Sequence, residues 1–160
     1  MRNWVRNEKG NVLIMMALSF AVMAGFGILT IDIGRMLVTR TQLQNAADAG
    51  ALAGASLFCE QANPTDADIQ SEVRAVGGAN TALETNAVNV DIPNEQITID
   101  RNAGANDVTV VTRSNTRQYL LGLFNLFQAA NPDEDVPDAQ TESAVAATAT
   151  AHWGGSTGRC

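Results

Sequence analysis

Residues 12–31 read VLIMMALSFAVMAGFGILTI, and no charged residue occurs from Gly10 to Ile31. A helix of about 20 residues spans roughly 30 Å, the thickness of a bilayer's hydrocarbon core. Its only hydroxyl side chains, Ser19 and Thr30, can bond back to their own helix. A soluble core helix is rarely apolar on every face for five turns. The stretch therefore predicts a membrane span. A cleavable secretory signal is the competing reading, but its apolar region would be shorter and would end at a small-x-small site. Here the apolar run continues past the small residues at 21–27 to Ile31, which favours an uncut anchor. Arg2, Arg6 and Lys9 precede the span, and a long following domain translocates largely regardless of charge. The expected layout is a cytoplasmic leader (1–11), a transmembrane helix (12–31), a helix extension (32–58) and an extracytoplasmic α+β domain (59–160).

The rest of the composition narrows the function. The chain has 160 residues, 46% hydrophobic but only 5% aromatic and 17% charged. Ala and Gly supply the missing bulk, which suits closely packed helices. The net charge is −7. Beyond the span, 16 acids face 7 arginines, a net of −9. Such a chain offers no basic surface to neutralise phosphates, so nucleic acid is excluded as a partner. Two Cys and one His exclude a Cys/His zinc cluster and most histidine catalysis. No Lys follows Lys9, which excludes lysine chemistry in the outer part.

No Pro interrupts the chain before Pro64, and residues 32–58 are good helix formers apart from scattered Gly. One helix from Asn11 to Phe58 is expected. It has a thin side. Ala17, Ala21 and Gly25 lie four apart, as do Ala47, Ala51 and Ala55, and Ala46, Gly50 and Gly54. Small residues at this spacing form a stripe that lets another backbone approach closely. Beyond the membrane that backbone is either the chain's own sheet or a partner. Within the membrane it is a partner helix, since no sheet exists there. Gly25, Gly27 and Gly34 suggest a bend or loosened turn at the membrane exit. Asp32 and Arg35, one turn apart, can pair at the interface.

These residues carry a resemblance. The charged leader Asn7-Glu8-Lys9-Gly10-Asn11, the span, Asp32-Ile33-Gly34-Arg35, and Leu43-Gln44-Asn45-Ala46-Ala47-Asp48-Ala49 with the Ala-rich stretch to Ala55 resemble the TadE/TadG-like proteins of the tight-adherence (Tad, or Flp) pilus machinery. The likeness is close over residues 7–57 and one of pattern only over 58–160. The chain departs from the family in two places. The long form's von Willebrand factor A-type domain, with its Asp-x-Ser-x-Ser metal motif, has no counterpart. Met15 stands where processed pseudopilins, cut after a Gly, carry Glu, so the likeness does not extend to peptidase processing or pilin-style docking. What the resemblance implies is a non-enzymatic, pseudopilin-like component without cofactor, resident in a bacterial inner membrane or a pilus. Its partners would be the membrane, other pilus subunits and further copies of itself.

In the outer domain, Thr65 followed by Asp68 reads as a helix start, with the helix running to about Asn80. Strands are expected at Val88–Ile92, Gln96–Asp100, Asp107–Arg113 and Ser143–Trp153, with turns at 93–95 and 102–106. A helix, a meander and a returning strand resemble a pilin-like α+β layout. Residues 117–128, RQYLLGLFNLFQ, suit a short helix. It is expected to cover the sheet as core; otherwise it is an exposed patch for a partner.

Residues 131–142, NPDEDVPDAQTE, read as a solvated acidic loop in preference to a calcium site, since the EF-hand Gly and final Glu are missing. His152 has no acid–nucleophile pattern around it, and no nucleophile elbow, phosphate loop or catalytic carboxylate pair stands out. Cys59 and Cys160 are expected to form an intramolecular disulfide in an oxidising compartment, the rivals being an intersubunit bridge and two free thiols. The functional alternative to a pilus component is a single-pass protein whose outer domain binds or senses a ligand.

Overall fold

The computed structural model describes residues 8–80, 90–101, 106–129 and 142–153. The fold is α+β. In chain order come α1 (Glu8–Glu60), α2 (Asp66–Gly77), a 3-10 turn (Asn94–Gln96), β1 (Ile97–Asp100), β2 (Asn106–Arg117), α3 (Tyr119–Ala129) and β3 (Glu142–Trp153). Two compact units share the chain. One comprises Met1–Gly34 with Gln118–Thr141, the other Arg35–Arg117 with Glu142–Cys160.

Helix α1 is 53 residues long and passes through Gly25, Gly27 and Gly34 without a break in its α-helical pattern, so the expected loosened turn does not form. Ser19 Oγ donates to the Met15 carbonyl at 2.9 Å and Thr30 Oγ1 to that of Phe26 at 2.8 Å. Each hydroxyl is thus satisfied by its own helix. Where Pro64 ends this run, the chain restarts with Thr65 as the cap of α2. Thr65 Oγ1 accepts from the Asp68 amide at 3.2 Å, and the Asp68 carboxylate accepts from the Thr65 amide at 3.0 Å. This reciprocal box satisfies two otherwise orphaned donors. The Asp68 carboxyl is held below its ordinary value by the Thr65 hydroxyl first and the Thr65 amide second.

The sheet is an antiparallel meander, β1-β2-β3. The register places Ile97 opposite Val110 and Val110 opposite Ala149, and Ile99 opposite Val108 and Val108 opposite Ala151. Alternation sends Val108, Val110 and Thr112 to one face of β2, and Val145, Ala147 and Ala149 to the same face of β3. Against that face lie Leu43, Ala46, Ala47, Ala51 and Ala55 of α1 and Ile69 and Val73 of α2, and Leu57, Val90, Ile92 and Ile97 join the same core. Full burial of a side chain such as Leu43 or Ile69 contributes about 1.5–3 kcal/mol.

Two expectations are corrected here. Val90–Ile92, the described part of the first expected strand, is irregular. Val90 and Ile92 are buried at 4% and 1% exposure, and the Val90 amide bonds to the Asn80 carbonyl at 2.8 Å. The apolar signal was a core signal without a ladder partner. The second correction concerns α3. It belongs to the unit containing Met1–Gly34, not to the sheet's unit. None of its described side chains, Tyr119–Asn125, is buried. Over these described residues α3 has no buried face, so they do not supply the expected core.

Candidate functional site

The surroundings of α1 change where its apolar stretch ends. From Asn11 to Ile31, every residue except Gly25 and Ile28 is exposed. Among the described residues, one α-helical stretch is long and apolar enough to cross a membrane, and its most apolar part is not buried. The apolar run ends at Asp32, which by contrast is buried at 5% exposure. Its two carboxylate oxygens accept from the amides of Tyr119 at 2.9 Å and Leu120 at 2.8 Å. Those amides open α3, where a helix has no intrahelical partners for its first donors. A carboxylate there also meets the positive end of the helix dipole. Asp32 thus acts as the cap of a helix 87 residues further along the chain. Sequence reasoning considered only Arg35, one turn away, and no local signal pointed to α3. Gly34 is exposed and a Cβ on it would meet nothing within 4 Å. Arg35 is half-buried.

The second cluster lies further along α1. Leu43 is fully buried, and its carbonyl accepts from Thr112 Oγ1 at 2.9 Å. Gln44 Nε2 donates to Asp48 Oδ1 at 2.8 Å and to the Thr148 carbonyl at 3.3 Å. Ala46, Ala47, Ala51 and Ala55 are all buried. The glycines between them are held tightly. A Cβ on Gly54 would fall 2.7 Å from Val73 Cγ2 and 3.0 Å from Val108 Cγ1. Beyond Ile31, then, the small-residue stripe is the seam between α1, α2 and the chain's own sheet. Ala17, Ala21 and Gly25 are different: the two alanines are exposed, and a Cβ on Gly25 would meet nothing within 4 Å.

Residues 10–57 match the family model for putative Flp pilus-assembly TadE/G-like proteins. The chain carries a TadE/G-like segment. That segment contains both clusters on the α1 side: Asp32, which caps α3, and the Leu43–Asp48 run, which joins α1 to β2 and β3. No curated protein and no solved structure matches the chain.

Cys59 is half-buried near the end of α1, while Cys160 lies outside the described residues. So does the acidic loop up to Thr141; Glu142 opens β3 and accepts from Asn115 Nδ2 at 3.4 Å. His152 pairs through Nδ1 with Asp107, its cross-strand neighbour on the exposed face of the sheet. The register supplies that acid, which linear sequence did not reveal. Arg101 joins the start of α2 to the end of β1. It donates to Asp66 at 2.5 Å and to the Pro64 carbonyl at 2.8 Å, and it lies 5.4 Å from the Phe58 ring centre. Among the described residues, no group of three or more His, Cys, Asp or Glu is placed to hold a metal ion.

Proposed function

We propose that the chain is a membrane-anchored, non-enzymatic, pseudopilin-like component of a Tad/Flp-type pilus, either a minor filament subunit or an assembly factor. The observation that carries this reading is the TadE/G-like match over residues 10–57, coinciding with an apolar helix exposed on nearly every face. Such a surface is unfavourable in water and suited to lipid or to neighbouring helices. In this reading residues 12–31 cross the inner membrane with the N-terminus cytoplasmic. Ala17, Ala21 and Gly25 receive a helix of another subunit, and the acidic domain is displayed on the far side. Sheared pilus fractions and washed membranes separate the two roles. A filament subunit co-purifies with sheared pili, an assembly factor stays in the membrane and its loss abolishes piliation, and normal piliation without the protein together with its absence from sheared pili would overturn both.

The same topology places Cys59 and Cys160 in an oxidising compartment, where we propose they pair within the chain. Non-reducing electrophoresis after thiol blocking is expected to give a monomer with no reactive thiol. A reducible dimer or two labelled thiols would refute the bond.

The ligand-binding alternative finds a groove of about 370 Å³ lined by Arg74, Ala75, Gly78, Ala79, Val90, Asp91 and Ile92. Its one cationic side chain, Arg74, already donates to Asn94, so the groove offers an anion little.

A further inference from the structure

We propose that α3 lies in the membrane, as a short interfacial helix seated in the leaflet through which α1 leaves the bilayer. The proposal rests on the reading that residues 12–31 span that bilayer. Its occupant is lipid: acyl chains and the adjoining headgroup layer cover the apolar surface of α3.

Four observations lead there. First, α3 reads YLLGLFNLFQA and carries no charge, and the uncharged run extends from Gln118 to Pro132. At 11 residues it is too short to span a bilayer, and apolar helices of this length are core helices or interfacial segments. Secondly, none of its described side chains is core. Tyr119 is 49% and Phe124 54% exposed, and Leu120, Leu121 and Leu123 are only half-buried. Thirdly, its compact unit is that of Met1–Gly34, which holds the apolar part of α1. Within residues 11–32 of α1, the positions that lose exposure are Gly25, Ile28 and Asp32, one stripe of the helix that ends at the start of α3. Beside that stripe, α1 leaves Phe26, Leu29, Ile31 and Ile33 exposed, so the apolar surface of α3 continues that of the span.

The fourth observation fixes the depth. Asp32 is the first charge after the uncharged run, so it marks the hydrocarbon boundary. Its carboxylate holds the amides of Tyr119 and Leu120. A helix that starts where water is scarce must have its first donors satisfied by protein, because each unsatisfied group there costs several kcal/mol. Asp32 meets this need for two of them. The Gly122 amide reaches the Gln118 carbonyl at 3.3 Å. Tyr119 at the head of the helix suits the headgroup level, where aromatic rings with a polar tip are enriched. Asp32 is therefore a positioning residue, which pins an apolar segment at the depth where α1 emerges.

The test uses the full-length chain in phosphatidylcholine–phosphatidylglycerol vesicles, with Trp4→Phe and Trp153→Phe removing the native fluorophores. Two single-tryptophan probes are compared, Phe124→Trp in α3 and Val22→Trp in the span. Phosphatidylcholine brominated near the headgroup or near the chain end is the quencher. The Phe124→Trp probe is expected to be quenched at least twofold by the shallow label and little by iodide, and the Val22→Trp probe to be quenched by the deep label. Adding Asp32→Ala is expected to halve the lipid quenching of the Phe124→Trp probe and leave that of the Val22→Trp probe unchanged. If the Val22→Trp probe is not quenched by lipid, the membrane-spanning reading has failed and the inference falls with it. If it is quenched but the Phe124→Trp probe is not, α3 lies outside the membrane and this inference alone is overturned. Shielding of the Phe124→Trp probe from both lipid and iodide would assign its surface to a protein partner and would also overturn the inference.

Discussion

Two stretches of one helix use the same small residues at the same spacing and meet different surroundings. In residues 12–31, Ala17 and Ala21 are exposed, and a Cβ on Gly25 would touch nothing. In the later stretch, Ala47, Ala51 and Ala55 are buried, and Gly50 and Gly54 lie against Val73. The lesson concerns what a small-residue stripe encodes. It specifies that something comes close, not what comes close. In the later stretch the neighbour is encoded in the same chain: β-branched residues on α2 and β2, and alanines on the inner face of β3. In residues 12–31, the described residues supply no such neighbour along Ala17 and Ala21, and the surrounding side chains include Leu, Ile, Met and Phe, which suit lipid or another apolar helix.

The sharpest way to break this contrast is to enlarge one glycine in each stretch. Gly54→Leu forces a bulky side chain into space held by Val73, Val108 and Ile69. Overpacking of this kind costs about 1–3 kcal/mol and occasionally more. The gain in helix propensity, about 1 kcal/mol, offsets only part of it. Thermal unfolding in detergent should fall by roughly 5–15 °C, taking about 4–8 °C per kcal/mol for a domain of this size. Gly25→Leu should leave that transition unchanged and instead reduce cross-linking between subunits. Equal loss of thermal stability in both variants would dissolve the contrast.

A subtler comparison sits between α1 and the sheet. Thr112 and Thr116 are both fully buried on the inner face of β2. Thr112 Oγ1 donates to the Leu43 carbonyl at 2.9 Å, whereas Thr116 Oγ1 has no hydrogen-bond partner among the described residues. Thr112→Val removes a made bond and should destabilise by about 1 kcal/mol. Thr116→Val removes an unmade one and should stabilise by about the same amount. Urea denaturation curves with unchanged slope and midpoints moved in opposite directions would support this account of the seam. Midpoints moving the same way would overturn it.

How much of this was legible in the sequence depends on how local each cause is. The apolar stretch 12–31, the continuous helix, the Thr65–Asp68 box and the alternation of β2 and β3 are set by residues a few positions apart, and all are legible in the sequence. The expected strand at Val88–Ile92 failed over Val90–Ile92 because alternating apolar residues report burial, while a strand also needs a paired edge. The placement of α3 was missed for a related reason. RQYLLGLFNLFQ announces an apolar helix, but its address is set by two amide bonds to Asp32, 87 and 88 residues away. The Asp107–His152 pair was likewise hidden until the register brought it together. In the candidate site, the motif residues were legible as a set, but their partners on β2, β3 and α3 were not.

The smallest expected effect separates local from distant capping. Unlike Asp32, whose partners lie on another segment of the chain, Asp68 caps its own helix from a fully exposed position. The Thr65 hydroxyl and amide hold its carboxyl below the ordinary aspartate value in the folded chain. The unfolded chain therefore binds the proton more readily. Stability from this group is fully present above the unfolded value of about 3.9 and is lost as pH falls through the lower folded value. Asp68→Asn abolishes that titration while keeping a side-chain acceptor for the Thr65 amide. The wild-type advantage over Asp68→Asn, measured as a difference in urea midpoint, should be constant at neutral pH and shrink steadily below about pH 4. Comparing the two chains at each pH cancels the other carboxylates, which titrate alike in both. A difference that stays constant down to acid would mean that the box acts through its geometry alone and not through its charge.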